Sequence, residues 1–138
     1  MPRLFRVVVP VPDMQRADAF YSRVLRLKVD EVAPTRHYFD CGETILALVD
    51  PRGHGREFRP NTELVYLAVA DLEATFERAV ESGAGAHEAD GQGWGIAVRP
   101  WGERSFYVKD PFGNPLCFVD EATLFVGTDR ARARSVAS

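Results

Sequence analysis

Along the chain, apolar positions recur with two different periods, and the switches between them mark the elements. Residues 4–12 are an apolar run with prolines at 10 and 12, the pattern of a first strand that lies at a sheet edge or ends its ladder early. Asp13 then precedes Met14, Ala17, Phe20, Tyr21, Val24 and Leu25, whose spacing of three and four draws one buried stripe on a capped helix. Residues 27–32, 36–41 and 44–50 read as three short strands. Residues 51–61, with Gly53, Gly55 and Pro60 among charges, form a linker. A strand follows at 63–70. Asp71 caps a second helix with Leu72, Phe76, Ala79 and Val80 on one face, and Gly83 stops it at the C′ position. Strands at 85–90, 95–99, 104–109 and 116–120 complete the order, with a short apolar contact at 124–126 and a disordered last ten residues.

The last two strands flank Asp110-Pro111-Phe112-Gly113-Asn114-Pro115, which is turn chemistry: proline presets the first corner, glycine supplies positive φ, and the Asx side chains bond local backbone. The second strand of this hairpin has a weaker copy upstream. Leu46-Ala47-Leu48-Val49-Asp50 repeats Leu116-Cys117-Phe118-Val119-Asp120 at an offset of 70, and residues 7–13 resemble 65–71 at an offset of 58. The repeating unit is strand, Asp cap, helix, then strands. A competing register of 60 matches Asp50-Pro51-x-Gly53 to Asp110-Pro111-x-Gly113; the offset of 70 is preferred because it pairs strand with strand. Gly91, Gly93 and Gly95 fall between strands and open no helix, so they read as a hairpin turn and not as a dinucleotide fingerprint.

Composition narrows the partners. A chain of 138 residues is one domain that buries about two thirds of the surface its unfolded form exposes, so folding needs no disulfide or metal. Its net charge is −3, and because residues 129–138 carry +2, the rest carries about −5. That balance argues against a nucleic-acid partner. Cys41 and Cys117 have no CxxC spacing, which points to a reducing compartment. The apolar N-terminal run is broken by Pro10 and fits neither a signal peptide nor a membrane span, and the expected location is cytoplasmic.

Two βαβββ units, one opening with the Phe20-Tyr21-x-x-Val24-Leu25 helix and the other closing with the Phe106-Tyr107-x-x-Asp110-Pro111-x-Gly113-Asn114 hairpin, resemble the vicinal oxygen chelate superfamily of glyoxalase I, extradiol dioxygenases and bleomycin-resistance proteins. The resemblance covers about residues 4–120. It implies an α+β fold of two modules, about 4–50 and 62–120, each a curved half-barrel sheet with one helix, followed by a tail at 121–138. It also implies a divalent metal on inward-facing side chains at four positions. Counted from the capping Asp, two of these fall on Arg6 and Leu64. Counted from the hairpin Asp, the third falls on Cys117, and the 70-residue offset puts the fourth on Ala47. Arg6 is a permanent cation, and Ala47 and Leu64 have no donor atom, so no metal and no cofactor is expected.

Strand parity places Arg6 and Val8, then Leu64, Tyr66 and Ala68, then Cys117 and Val119 on the concave face, leaving Val7, Val9 and Val11 for the helix side. The cavity so lined is apolar with a cation and a phenol, suited to an organic ligand. Arg6 either takes an anionic group of the ligand or pairs with a surface acid at the strand end, and Arg104 invites the same question. Trp94 and Trp101 either stack on a flat ligand, as aromatic rings do in the bleomycin-resistance relatives, or pack at a hairpin or dimer interface. His37 is either an acid or base near neutral pH or a structural strand histidine. Cys117 is either a thiolate activated by Arg6 or a small buried hydrophobe.

Two functions follow. The first is a metal-free small-molecule-binding protein of the bleomycin-resistance-like type. The second is a lyase, isomerase or dioxygenase of the same fold acting on a small oxygenated metabolite, with acid/base work by His37, Tyr66 or Cys117. Open strand edges suggest a homodimer in either case.

Overall fold

Each helix begins where an aspartate can bond its own first turn. Asp13 accepts from Arg16 N at 3.0 Å and Asp71 from Ala74 N at 3.0 Å, satisfying donors that the helix itself cannot. The computed structural model describes residues 1–87 and 93–125. In chain order the elements are β1 (Arg6–Pro10), α1 (Met14–Leu25), β2 (Asp30–Ala33), β3 (Arg36–Cys41), β4 (Thr44–Val49), β5 (Val65–Val69), α2 (Leu72–Glu81), β6 (Gly85–Ala86), β7 (Ala97–Val98), β8 (Arg104–Lys109) and β9 (Pro115–Asp120). Short 3₁₀ turns at Pro51–His54 and Glu121–Thr123 follow β4 and β9. They form two unclosed sheets, ordered β1-β4-β3-β2 and β5-β9-β8-β6, with β7 also paired to β8.

The strand register decides between the competing repeats. Val8 lies beside Ala47 in the parallel β1–β4 pair, and Tyr66 lies beside Cys117 in the parallel β5–β9 pair. These partners are related by the offsets of 58 and 70, so both copies hold in one alignment. The two 3₁₀ turns obey it as well, since Asp50 caps one and Asp120 the other. Asp110, the match at 60, sits instead inside the β8–β9 turn.

Pro10 is tolerated because of where β1 lies. In this strand the odd-numbered groups face β4, as in Ile45 N→Phe5 O and Val11 N→Val49 O, so the missing Pro10 N–H would have pointed to the open edge. The carbonyls on that edge are taken by asparagines of the linker and the second module: Asn61 Nδ2 donates to Val8 O and Asn114 Nδ2 to Pro10 O.

Asn114 belongs to a buried polar clasp between modules. Tyr21 Oη, from α1, donates to Asp110 Oδ2 at 2.6 Å; Asp110 also accepts from Phe112 N, Asn114 N and Asn114 Nδ2, and Asn114 Oδ1 accepts from Asn61 N. Donors converge on the buried Asp110 side chain and offset its loss of water. Burial and the adjacent Asp110 carboxylate push the Tyr21 phenol well above its ordinary value, so it remains a donor. Gly113 closes the turn at φ 93, a conformation that favours glycine.

The core lies between the helices and the facing sheet surfaces, with Val9, Val11, Phe20, Val24, Phe39, Leu46, Leu48, Phe106, Leu116 and Phe118 buried. Two expected details differ. The strand expected at 27–32 begins at Asp30, because Arg26 adopts φ 56 and Arg26 and Leu27 both donate back to Ser22 O to end α1. Val80 is 43% exposed, and Thr75 is buried in the α2 face in its stead, its hydroxyl bonded to Asp71 O. Residues 88–92 and 126–138 lie outside the described residues, and with them part of the expected strand at 85–90, Gly91, Val126 and most of the expected tail. No described helix is long and apolar enough to cross a membrane.

Candidate functional site

Alternation along β1 and β4 leaves Arg6, Val8, Ile45 and Ala47 on the face turned away from the helices, and the β3–β4 register adds Arg36, Tyr38 and Asp40 to it. Ala47 is fully buried and small, which lets Arg6 reach across β4. Its guanidinium carbon lies 5.0 Å from the ring centroid of Phe5 and 5.1 Å from that of Tyr38. On the same ring, Arg36 Nη1 donates to Tyr38 Oη at 2.9 Å. Asp40 shares the face, but its carboxylate accepts from Gly42 N. Among the described residues no carboxylate forms an ion pair with Arg6 or Arg36. Two cations therefore flank one phenol on an open face.

The corresponding face of the second sheet is closed over β8 and β9. Tyr107, Cys117 and Val119 are buried there, with Leu64 and Leu124 packed against them. Arg99 lies over the Tyr107 ring at 4.5 Å, only 2% exposed, donating Nε to Ser105 Oγ and Nη2 to the Ser105 and Gly95 carbonyls. The His87 ring stands 6.4 Å from that of Tyr107. Tyr66 lies beside Cys117 in the register and is 59% exposed. Partial burial of its phenol, and then the negative potential of Cys117, Glu103 and Glu63, hold its pKa above the ordinary value.

Between the end of the first sheet and the open edge of β5 runs a groove of about 480 Å³. Leu4, Val7, Leu25 and Ile45 line one side and Tyr66 and Leu67 the other, a largely apolar wall of the size that takes small organic ligands. Ile45 is the cross-strand partner of Arg6, so the cationic face begins at the rim of the groove.

Of the residues picked out by sequence, Arg6, Leu64, Tyr66 and Cys117, by parity, and Ala47, by the offset of 70, stand on the helix-free faces. His37 does not. It alternates with Tyr38, faces α1, and bonds Asp18 through Nδ1 at 2.8 Å. Trp94 packs against Phe76 of α2 at 5.4 Å. Arg104 is turned toward α2, paired with Glu73 and, at 3.1 Å, with Asp120. Trp101 is half-exposed on the β7–β8 turn, where its indole donates to Glu103. Sequence reasoning missed Tyr38 and Arg36, which parity applied to β3 would have found, and Arg99, whose burial depends on tertiary contacts with Ser105 and Tyr107.

The metal implied by the family resemblance does not fit the four side chains at its positions. Arg6, Ala47 and Leu64 supply no donor, and Cys117 alone makes no site.

A family model described as the Glyoxalase/Bleomycin resistance protein/Dioxygenase superfamily matches residues 3–118. Solved structures share the architecture at low identity. A glyoxalase-related enzyme from Fulvimarina pelagi is 17% identical at a TM-score of 0.72, over 94% of this chain and 95% of its own. A glyoxalase/bleomycin resistance protein from Albidiferax ferrireducens T118 is 18% identical at 0.69, over 86% and 98%. A lactoylglutathione lyase from Agrobacterium tumefaciens is 20% identical at 0.64, over 86% and 93%. No curated protein matches the chain.

Proposed function

The chain belongs to the Glyoxalase/Bleomycin resistance protein/Dioxygenase superfamily, and from that membership and its helix-free faces we propose a small-molecule-binding protein of the bleomycin-resistance-like kind that works without a metal at the family positions. The observation that carries this reading is the pair of guanidinium groups of Arg6 and Arg36 around Tyr38, with no carboxylate paired to either among the described residues. Cations left open beside an apolar groove suit a ligand with a flat or aliphatic body and a carboxylate or phosphate end. The groove along β5 takes the body and Arg6 the anionic end. Such a ligand differs from a polycationic drug, which this face would repel.

The test is a calorimetric and thermal-shift screen of aromatic carboxylates against their neutral amides. Acids are expected to bind and amides to fail, and Arg6→Ala is expected to weaken acid binding by about tenfold or more, about 1.4 kcal/mol. Equal binding of acids and amides, or an unaffected Arg6→Ala variant, would refute the reading. The homodimer belongs to the same proposal, supported by the exposed apolar side chains Leu4, Phe5, Val8 and Tyr66 and by the open edge of β5. Sedimentation velocity would show it. Cys41 and Cys117, neither of them in a disulfide, suit action in the reducing cytoplasm.

A second reading, catalysis on a small oxygenated metabolite, is favoured by the closeness of Tyr66 and Cys117, an acid and a nucleophile on one face. Turnover abolished by Cys117→Ala and Tyr66→Phe, and indifferent to chelators, would establish it.

A further inference from the structure

On the opposite side of the first sheet, three potential ligands meet from three elements: Asp18 of α1, Glu31 of β2 and His37 of β3. Glu31 and His37 are direct cross-strand partners, so their side chains share the helix-facing surface, and Asp18 lies over them. One donor atom from each lies within 4.8 Å of the other two, the one such trio of His, Cys, Asp or Glu among the described residues. His37 is 8% exposed, and its Nδ1 stands 2.8 and 2.9 Å from the two Asp18 oxygens. One carboxylate is enough for that nitrogen. Glu31 adds a second negative charge, and no Lys or Arg pairs with Asp18 or Glu31 among the described residues.

The fold does not demand polar groups here. Asp18 and Phe76 each stand five residues past their capping Asp, and Leu48 and Phe118, equivalent at the offset of 70, have His37 and Phe106 as cross-strand partners. The equivalent pair in the second module is thus Phe76 against Phe106, edge to face at 5.0 Å. Where one module packs two aromatic rings, the other holds an imidazole and a carboxylate with a second carboxylate alongside.

We propose that Asp18, Glu31 and His37 bind a divalent first-row transition ion, separate from the family's metal positions. An ion held at about 2.0–2.2 Å sets neighbouring ligand atoms roughly 3 Å apart and opposite ones about 4 Å apart, so the Asp18–His37 spacing is already that of two ligands and only the exposed Glu31 must close in. His37 ligates through Nδ1 in its Nε2–H tautomer. One imidazole and two carboxylates select zinc, manganese, cobalt or nickel over calcium and magnesium, which require more oxygens, and over copper(I), which favours sulfur. Water completes the coordination on the Glu31 side.

The test is titration of the chelator-treated full-length protein with zinc, manganese, nickel and cobalt(II), read by calorimetry and, for cobalt, by absorption. One ion per chain is expected, with no thiolate charge-transfer band. Glu31→Gln, a change on the exposed side that leaves the fold intact, is expected to weaken binding by about tenfold or more, as is Asp18→Asn, while Cys117→Ala leaves it unchanged. No binding of any of the four ions by the folded protein would overturn the proposal. So would binding that survives Glu31→Gln, or a thiolate band lost in Cys117→Ala; the last would also overturn the metal-free reading of the family positions, whereas loss through Glu31→Gln leaves that reading standing.

Discussion

The two modules share one skeleton and use its surfaces in opposite ways. In the first, the helix-facing surface carries the ionisable trio Asp18, Glu31 and His37, and the outer face presents Arg6 and Arg36 around Tyr38. In the second, the helix-facing surface is a run of rings, with Phe76 on Phe106 and Phe106 stacked on Phe118 at 5.1 Å, while the outer face buries Tyr107 beneath Arg99 and Cys117 beside Tyr107. Tyr38 and Tyr107 are equivalent through their partners Ala47 and Cys117, yet one ring is half-buried and the other nearly sealed. The second module seals the polar groups of its outer face, and the first leaves charged groups accessible. Recognition of a charged ligand is therefore expected on the first module and the strongest buried polar contact at the Asp110 turn of the second.

The largest test of that division compares two aspartates that look alike in sequence. Asp110 is 3% exposed and accepts four hydrogen bonds, one of them from the other module, so Asp110→Ala is expected to cost about 3–4 kcal/mol and lower the midpoint of denaturant unfolding accordingly. Asp50 starts the other Asp-Pro-x-Gly sequence, but its partner Arg52 is exposed at the surface, and Asp50→Ala is expected to cost no more than about 1 kcal/mol. The Arg52 hydrogen bond holds the Asp50 carboxyl below its ordinary value. Whatever this ion pair contributes is present above the ordinary carboxylate pKa and fades as pH falls through the lowered one. Equal losses in the two variants would mean that the modules are not locked through the Asp110 turn.

These aspartates also show what was legible in the chain. The caps, helix stripes and both offsets were readable because each rests on local chemistry or on a period that burial enforces. The offset of 60 competed with 70 because one turn sequence serves two tasks, capping a 3₁₀ turn at Asp50 and clasping two modules at Asp110. Parity placed Arg6, Leu64, Tyr66 and Cys117 because their strands carry a clear apolar partner set, and the offset of 70 added Ala47. The two readings of His37 stayed open because its alternation with Phe39 was not followed and its partner Asp18 lies on a different element; the bond to Asp18 on the helix side is that of a strand histidine held in the packing. Arg99 falls inside the strand expected at 95–99, but only Ala97–Val98 pair, so Arg99 lies just past the ladder that would fix its face.

A mid-sized effect is expected where the modules differ most. Asp18→Ala leaves a nine-tenths buried imidazole without its carboxylate and should cost about 1–2 kcal/mol. Asp18→Phe combined with His37→Phe copies the arrangement of the second module, and the double variant should be at least as stable as the parent, since apolar replacement of a buried polar pair is often neutral or favourable. Chemical denaturation of the parent, single and double variants measures both. A double variant less stable than Asp18→Ala would mean that the two helix–sheet interfaces are not equivalent.

The smallest effect at neutral pH grows with pH. Tyr21→Phe removes one of four donors to Asp110 and adds no bulk, so about 1 kcal/mol is expected at pH 7. The folded phenol has its pKa raised, first by burial and then by Asp110, relative to an unfolded tyrosine near 10. Its contribution is thus fully present below about pH 10 and is lost as pH rises above that value through the folded pKa, because only the unfolded chain can release the proton easily. Parent and Tyr21→Phe should differ by a constant amount from pH 6 to about 9, and the gap should narrow beyond 10 as the parent alone loses this term. A gap that stays constant to pH 11 would mean that the ring ionises equally in both states and that α1 is not sealed against the Asp110 turn.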